Sequence, residues 1–160
     1  MSEAAGIEEE LRSRLKGRVL LIGVGNTLRG DDAAGPALIG LLEGKVDAIL
    51  LDAGETPENY FSRIVNAKAD TIVFLDAANF GAAPGDLAVL EVSDIAGCSI
   101  STHQMPVDVF FRAIKQDSSA EMFGIGVQPA GIGFGEPMSP EVKETVQALA
   151  ESLRGILPPL

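Results

Sequence analysis

Short apolar runs alternate with amphipathic segments along this chain. Uninterrupted apolar runs lie within 19–23, 48–52 and 71–76, and each ends at glycine or aspartate. Uniformly apolar runs are typical of strands that are buried on both faces of a sheet. Helical patterns over 33–43 and 57–67 separate the runs, as in β-α-β units with right-handed crossovers. The pattern therefore predicts an α/β sandwich around a largely parallel sheet.

The second half of the chain adds two strands and two helices to this pattern. The apolar run at 87–92 follows Asp76 after a loop that is too short for a helical crossover. We therefore expect this strand to be antiparallel and to lie beside the third strand. A helix is predicted to begin at Pro106, a last strand to cover 122–127, and a final helix to begin at Pro140.

Composition restricts the class of protein further. The length of 160 residues suits one domain, which we assign to residues 1–160, and no apolar run is long enough for membrane insertion. The formal charge of −11 argues against a nucleic-acid partner, because phosphates would be repelled. Cys98 is the single cysteine and cannot form an internal disulfide, and we see no export signal. These features predict a cytoplasmic protein.

A glycine-rich segment at 23–32, which we name the glycine loop, follows the first strand. Ligands often bind at this position in α/β folds. Leu28 stands where a dinucleotide fingerprint requires glycine, and Asp31 and Asp32 would repel a phosphate but attract a metal ion. The alternative is that Asp32 only caps the following helix.

Two further residues join Asp32 as candidates for a metal site. Asp76 ends the third strand, and His103 is the only histidine. Two carboxylates and one imidazole on separate loops can supply three ligands and leave positions open for water or substrate. Capping or turn formation is the ordinary role of such acids, and a lone histidine is more often a surface residue. Asp52, at the end of the second strand, is equally consistent with a site residue and a turn residue.

Six motifs in a fixed order resemble the maturation endopeptidases of [NiFe] hydrogenases. The closest resemblance is to the type that processes the large subunit of hydrogenase 3. The matching segments are GVGNTLRGDDAAGP at 23–36, DAGETPEN at 52–59, LDAA at 75–78, PG at 84–85, THQMP at 102–106 and GVQP at 126–129.

The resemblance implies a protease that removes the C-terminal extension of a hydrogenase large-subunit precursor after nickel insertion. It implies catalytic roles for Asp32 and Asp76, metal contacts from Asp32, Asp76 and His103, and substrate contacts from Asn26 and Asp52. Asn26 is also expected to orient its loop by side-chain to backbone hydrogen bonds. Nickel would be presented by the substrate, and no organic cofactor is expected.

The resemblance also implies a three-layer α/β/α sandwich. Its mixed five-stranded sheet has the order 2-1-3-5-4 with strand 4 antiparallel, which places that strand differently from the local reading above. Residues 1–15 would form an additional outer helix. Arg29 is a departure from the family pattern, because many relatives carry an uncharged residue there. This cation would either weaken a metal site or steady the substrate.

Alternatives to this function remain at the level of sequence. A non-catalytic nickel carrier or maturation checkpoint protein could use the same three ligands without cutting a peptide. A small metallo-aminopeptidase fits less well, because a paired-metal site usually needs more than one histidine. Within the protease interpretation, either the metal or a carboxylate could activate the attacking water.

Overall fold

The computed structural model describes residues 3–98 and 106–160. Two short 3-10 helices, Gly30–Ala33 and Pro57–Tyr60, directly precede the second and third α-helices. In chain order the other elements are α1 (Glu3–Arg14), β1 (Val19–Val24), α2 (Ala34–Leu42), β2 (Ile49–Gly54), α3 (Phe61–Asn66), β3 (Thr71–Ala77), β4 (Leu87–Leu90), α4 (Val92–Cys98), α5 (Val107–Asp117), β5 (Glu121–Val127) and α6 (Pro140–Ile156).

The five strands form one sheet in the order β2-β1-β3-β5-β4. Strands β2, β1, β3 and β5 are parallel, and β4 is antiparallel to β5. This confirms the strand order that the family resemblance implies. The local expectation that β4 lies beside β3 is wrong, because β5 lies between them.

The connection between β3 and β4 explains that difference. Residues 78–86 pass over the end of β5, where the Ala78 amide donates to the Val127 carbonyl and the Gly85 amide donates to the Gln128 carbonyl. Neighbouring strands are about 5 Å apart, so a loop of this length reaches across one strand without a helix. The antiparallel direction was predicted correctly, and only the neighbour was wrong.

Alternating residues of the strands divide the core into two halves, one on each face of the sheet. On one face, Leu21, Val73 and Phe123 pack with residues of α1, α2 and α6. On the other face, Leu20, Ile72 and Phe74 pack with residues of α3, α4 and α5. Helices therefore cover both faces, which makes the three-layer α/β/α sandwich.

Helix α1 packs on the outer layer at the β4–β5 side. Leu11 is fully buried, and the Arg14 guanidinium lies 4.1 Å from the centre of the Phe123 ring. Arg14 also pairs with Glu91 at 2.7 Å and Glu121 at 3.1 Å. Burial by itself would lower the pKa of Arg14, but the hydrogen bonds to these two glutamates raise it overall.

Helix length and polarity also bear on membrane association. Within residues 3–98 and 106–160, no helix combines the length and the apolar character needed to cross a bilayer.

Candidate active site

Asp32 and Asp76 are placed at the same edge of the sheet by two neighbouring parallel strands. In the β1–β3 pair Gly23 lies opposite Leu75, so both strands reach their carboxyl ends at the level of Asp76. The chain turns from β1 to β2 on one side and to β3 on the other, which makes this edge the switch point where α/β proteins bind ligands. The first and third strands are neighbours, and the two acids flank this point.

The glycine loop brings Asp32 back against the end of β1. Gly25 has a φ of +146°, and a Cβ at this position would clash with the Asp32 carbonyl oxygen. Only glycine allows this close approach without strain. The Asn26 amide then donates to Asp32 Oδ2 at 2.9 Å, which fixes the carboxylate at the edge. The 3-10 helix that carries Asp32 also packs against β3, the strand that ends at Asp76.

Asp31 has a different role from its neighbour Asp32. Its carboxylate is buried and accepts four hydrogen bonds: from the amides of Ala130 (2.8 Å), Gly131 (3.3 Å) and Ser139 (2.7 Å), and from Ser139 Oγ (2.8 Å). The sequence pattern predicts that both acids attract a metal ion. The structure corrects this for Asp31, whose oxygens join the glycine loop to the start of α6. Because these partners lie about 100 positions away, no local pattern could reveal them.

Asn26 orients the glycine loop as expected. Its Oδ1 accepts a hydrogen bond from the Leu28 amide at 2.8 Å, which forms an Asx turn. Arg29 is exposed, and its Nε donates to the Ile132 carbonyl at 3.4 Å. Arg29, the residue that departs from the family pattern, therefore lies beside the same loop that Asp31 binds through the amides of Ala130 and Gly131.

Asp52 fits the turn alternative. It is exposed, and its Oδ1 accepts from the Gly54 amide at 3.1 Å. Its neighbours Leu51 and Ala53 face the α3–α5 side, so alternation puts Asp52 on the α2 side. Asp76 shares the face of Phe74, which is the opposite one. Contact of Asp52 with a substrate stays a prediction.

Gln128 is a positioning residue that the sequence interpretation did not single out. It is buried, and its Oε1 accepts from the amides of Phe80 (2.9 Å) and Ala82 (3.2 Å). Its Nε2 donates to Asn79 Oδ1 at 3.3 Å. Gln128 therefore fixes the loop that directly follows Asp76 and β3. The sequence signal for it is a glutamine directly after an apolar strand.

Cys98 ends α4 close to this edge. Its Sγ donates to the Asp94 carbonyl at 3.0 Å, and its own carbonyl accepts from the Asn79 amide at 2.9 Å. Burial raises the pKa of the Cys98 thiol, and the negative charges of Asp94 and Asp76 raise it further. The thiol is therefore protonated at neutral pH and unsuited to act as a nucleophile.

The structure describes two of the three residues that are predicted to bind the metal ion. Among the residues at 3–98 and 106–160, no group of three or more His, Cys, Asp and Glu side chains is arranged to hold a metal ion. Asp32 and Asp76 supply carboxylate oxygens, which are suitable ligands for a divalent ion. His103, the third expected ligand, lies outside the described residues.

Fold and site together define an α/β protein with an acid-bearing site at the switch point of its sheet. A family model described as HycI, hydrogenase maturation protease, matches residues 40–155. The hydrogenase 3 maturation protease of Escherichia coli (strain K12) is 32% identical over 139 residues, which cover 85% of this chain and 88% of that protein. A putative hydrogenase maturation protease of Methanocaldococcus jannaschii is 29% identical over 94% of this chain and 96% of its own length.

The three-dimensional comparison agrees with the sequence comparison. The crystal structure of the [NiFe] hydrogenase maturation protease HycI from Thermococcus kodakarensis KOD1 superposes with a TM-score of 0.83 at 34% identity, covering 92% of this chain and 98% of that one. This chain belongs to the hydrogenase maturation protease family. Its class of activity is that of an endopeptidase.

Proposed function

We propose that this protein removes the C-terminal extension of a [NiFe] hydrogenase large-subunit precursor after nickel has been inserted. The observation that carries the proposal is the placement of Asp32 and Asp76 at the switch-point edge in a member of this protease family. The similarity to a protein of Escherichia coli named hydrogenase 3 maturation protease supports a hydrogenase large-subunit precursor as the partner.

Nickel enters this proposal as part of the substrate. Asp32, Asp76 and His103 would contact the ion that the precursor carries, and the ion would position the C-terminal segment at the edge of the sheet. Carboxylate and imidazole ligands suit a divalent ion of this kind. An apo-precursor would lack this contact and would not be held against the acids.

Asp32 and Asp76 have different roles in the proposed reaction. Asp32 is fixed by the Asn26 amide and is suited to holding the substrate's metal. Asp76 borders an apolar pocket and is suited to act as general base. It takes a proton from water as the water oxygen bonds to the scissile carbonyl carbon. The carbon–nitrogen bond then breaks, and the proton passes to the leaving amine.

Further parts of the proposal concern recognition and place of action. Asn26 and Asp52 are proposed to contact the precursor, with Asn26 the better supported because it borders Asp32. The charge of −11 would favour association with a basic stretch near the cleavage junction. No organic cofactor takes part, and the reaction takes place in the cytoplasm.

Amide substitution of the two acids tests the proposed roles. We expect Asp76→Asn to keep the fold and to abolish cleavage of a nickel-loaded precursor, because an amide is a poor metal ligand and cannot act as a base. Asp47→Asn is the matched control, since Asp47 is exposed just before β2 at the opposite edge. The measurement is the intact mass of the precursor in a single-turnover reaction. Normal cleavage by the Asp76→Asn protein would refute the role of this acid.

A further inference from the structure

An apolar pocket lies beside Asp76 on the α3–α5 face of the sheet. Two acidic residues, Asp76 and Glu58, line it, and the other lining residues are apolar or glycine. The apolar side chains that matter for the argument are Val24, Phe74, Leu90, Ile95, Val107 and Phe110.

Strand β5 presents glycine twice on the face that carries the pocket. Gly124 and Gly126 alternate with residues of the other face, so at these two positions β5 offers only its backbone to the pocket. A Cβ at Gly126 would lie 2.9 Å from Leu90 Cδ1, and a Cβ at Gly124 would lie 2.6 Å from Ile95 Cδ1. Both distances are too short for ordinary contact, so the pocket walls already approach the strand closely.

The far wall is made of aromatic rings that support one another. Phe74 meets Phe111 edge to face with 4.9 Å between ring centroids, and it meets Phe110 at 6.1 Å. Such pairs are favourable and restrict the movement of each ring. The pocket is therefore formed before a ligand arrives, which lowers the entropic cost of binding.

We infer that this pocket binds an aliphatic side chain of the precursor, on a residue that borders the bond to be cut. The inference rests on the proposed function and deepens it. Because Asp76 lines the pocket, a side chain held there places its own backbone near that residue. The pocket thereby selects the position of the scissile bond.

Size and charge decide the class of side chain. The cavity volume is about 30 Å³, whereas an apolar cavity that takes benzene has roughly 150 Å³. The space therefore suits the tip of an aliphatic chain and not an aromatic ring. Glu58 and Asp76 disfavour an acidic side chain, because like charges would be brought together away from water.

Paired changes in the enzyme and the precursor test this inference. Val107 lines the pocket at the start of α5, whereas Val109 on the same helix is 42% exposed and is absent from its wall. We expect Val107→Phe to fill the pocket and slow cleavage of the natural precursor by roughly 10–200-fold, the usual range for a misfitted apolar group. Alanine at the matching precursor position should restore part of the rate. Val109→Phe is the matched control and should leave the rate unchanged.

The opposite change gives an independent measure. Val107→Ala should enlarge the pocket and improve cleavage of a precursor that carries phenylalanine at the same position, relative to the natural side chain. The assay is a single-turnover series with alanine, leucine, phenylalanine or aspartate on either side of the cut, with thermal unfolding as the check of folding.

The outcomes separate the two proposals. Equal treatment of all precursors by wild-type, Val107→Phe and Val107→Ala proteins would overturn the pocket assignment while leaving the protease intact. Loss of cleavage by folded Val107→Phe without any relief from alanine would overturn it as well. Failure of the wild-type protein to cut any nickel-loaded precursor would refute the proposed function itself.

Discussion

Replacing Asp31 by alanine removes the side chain that joins the glycine loop to the start of α6. Four hydrogen bonds end on this buried carboxylate, three from backbone amides and one from a hydroxyl. It also places a negative charge at the N-terminus of α6, where a helix favours one. The substitution leaves partly buried donors without their acceptor.

The expected cost follows from those donors. A buried donor that loses its partner costs about 1–3 kcal/mol, and bonds to a charged group lie at the upper end. Partial access to water reduces the sum, so we expect Asp31→Ala to lower the free energy of unfolding by about 3–5 kcal/mol. For a chain of this size each kcal/mol shifts Tm by about 2–4 °C. The loss of Tm is therefore roughly 6–20 °C.

Thermal and denaturant unfolding measure this loss, and Asp32→Asn is the comparison. Asp32 lies next in sequence, and its amide variant keeps an oxygen for the Asn26 amide. We expect Asp32→Asn to unfold close to wild type yet to fail in precursor cleavage. Ser139→Ala, which removes only the hydroxyl donor, should cost about 0.5–1.5 kcal/mol. An Asp31→Ala protein with the wild-type Tm would refute the assignment of Asp31 as a structural anchor.

Three further predictions test other contacts of the structure. Arg14→Met should lower the free energy of unfolding in urea by about 1–2 kcal/mol, because the Arg14 side chain is mostly buried against Phe123. Arg12→Met is the control and should lower it by less than about 0.5 kcal/mol, since the ion pair of Arg12 with Glu8 is exposed. Alkylation of Cys98 at pH 8 should be slower than that of a free thiol, because burial, with the charges of nearby acids, raises its pKa. Asp76→Asn should lower that pKa and speed the reaction; an unchanged rate would contradict the proximity of the two groups. Gly25→Ala should lose cleavage and stability together, as its φ and contacts require.

The fold could be predicted from the sequence wherever burial produces a clear pattern of apolar residues. Strands β1 and β3 are buried along their whole length and carry the plainest apolar runs. Helix α4 was not predicted, because its seven residues, VSDIAGC, carry no repeated apolar stripe. The helix predicted over 57–67 is divided into a 3-10 helix and α3, with Pro57 at the first position.

The site shows the same division between local and distant information. Asp32 and Asp76 could be placed at one edge because Asp32 follows β1 and Asp76 lies at the carboxyl end of β3, two parallel strands of the sheet. The separate roles of Asp31 and Asp32 depend on partners in the segment 130–139, which no local pattern specifies. The face of Asp52 depends on the register between strands, since Gly23 lies opposite both Asp52 and Leu75.

The mass of a hydrogenase large-subunit precursor after one turnover with this protein tests the central claim most directly. The precursor is prepared in nickel-loaded and apo forms and mixed with an excess of wild-type protein. We predict that the nickel-loaded form loses a single C-terminal peptide and that the apo form stays intact, because the metal positions the segment beside Asp32 and Asp76. Binding of the nickel-loaded precursor without any loss of mass would contradict the account and identify a carrier, and equal cleavage of both forms would contradict recognition through nickel.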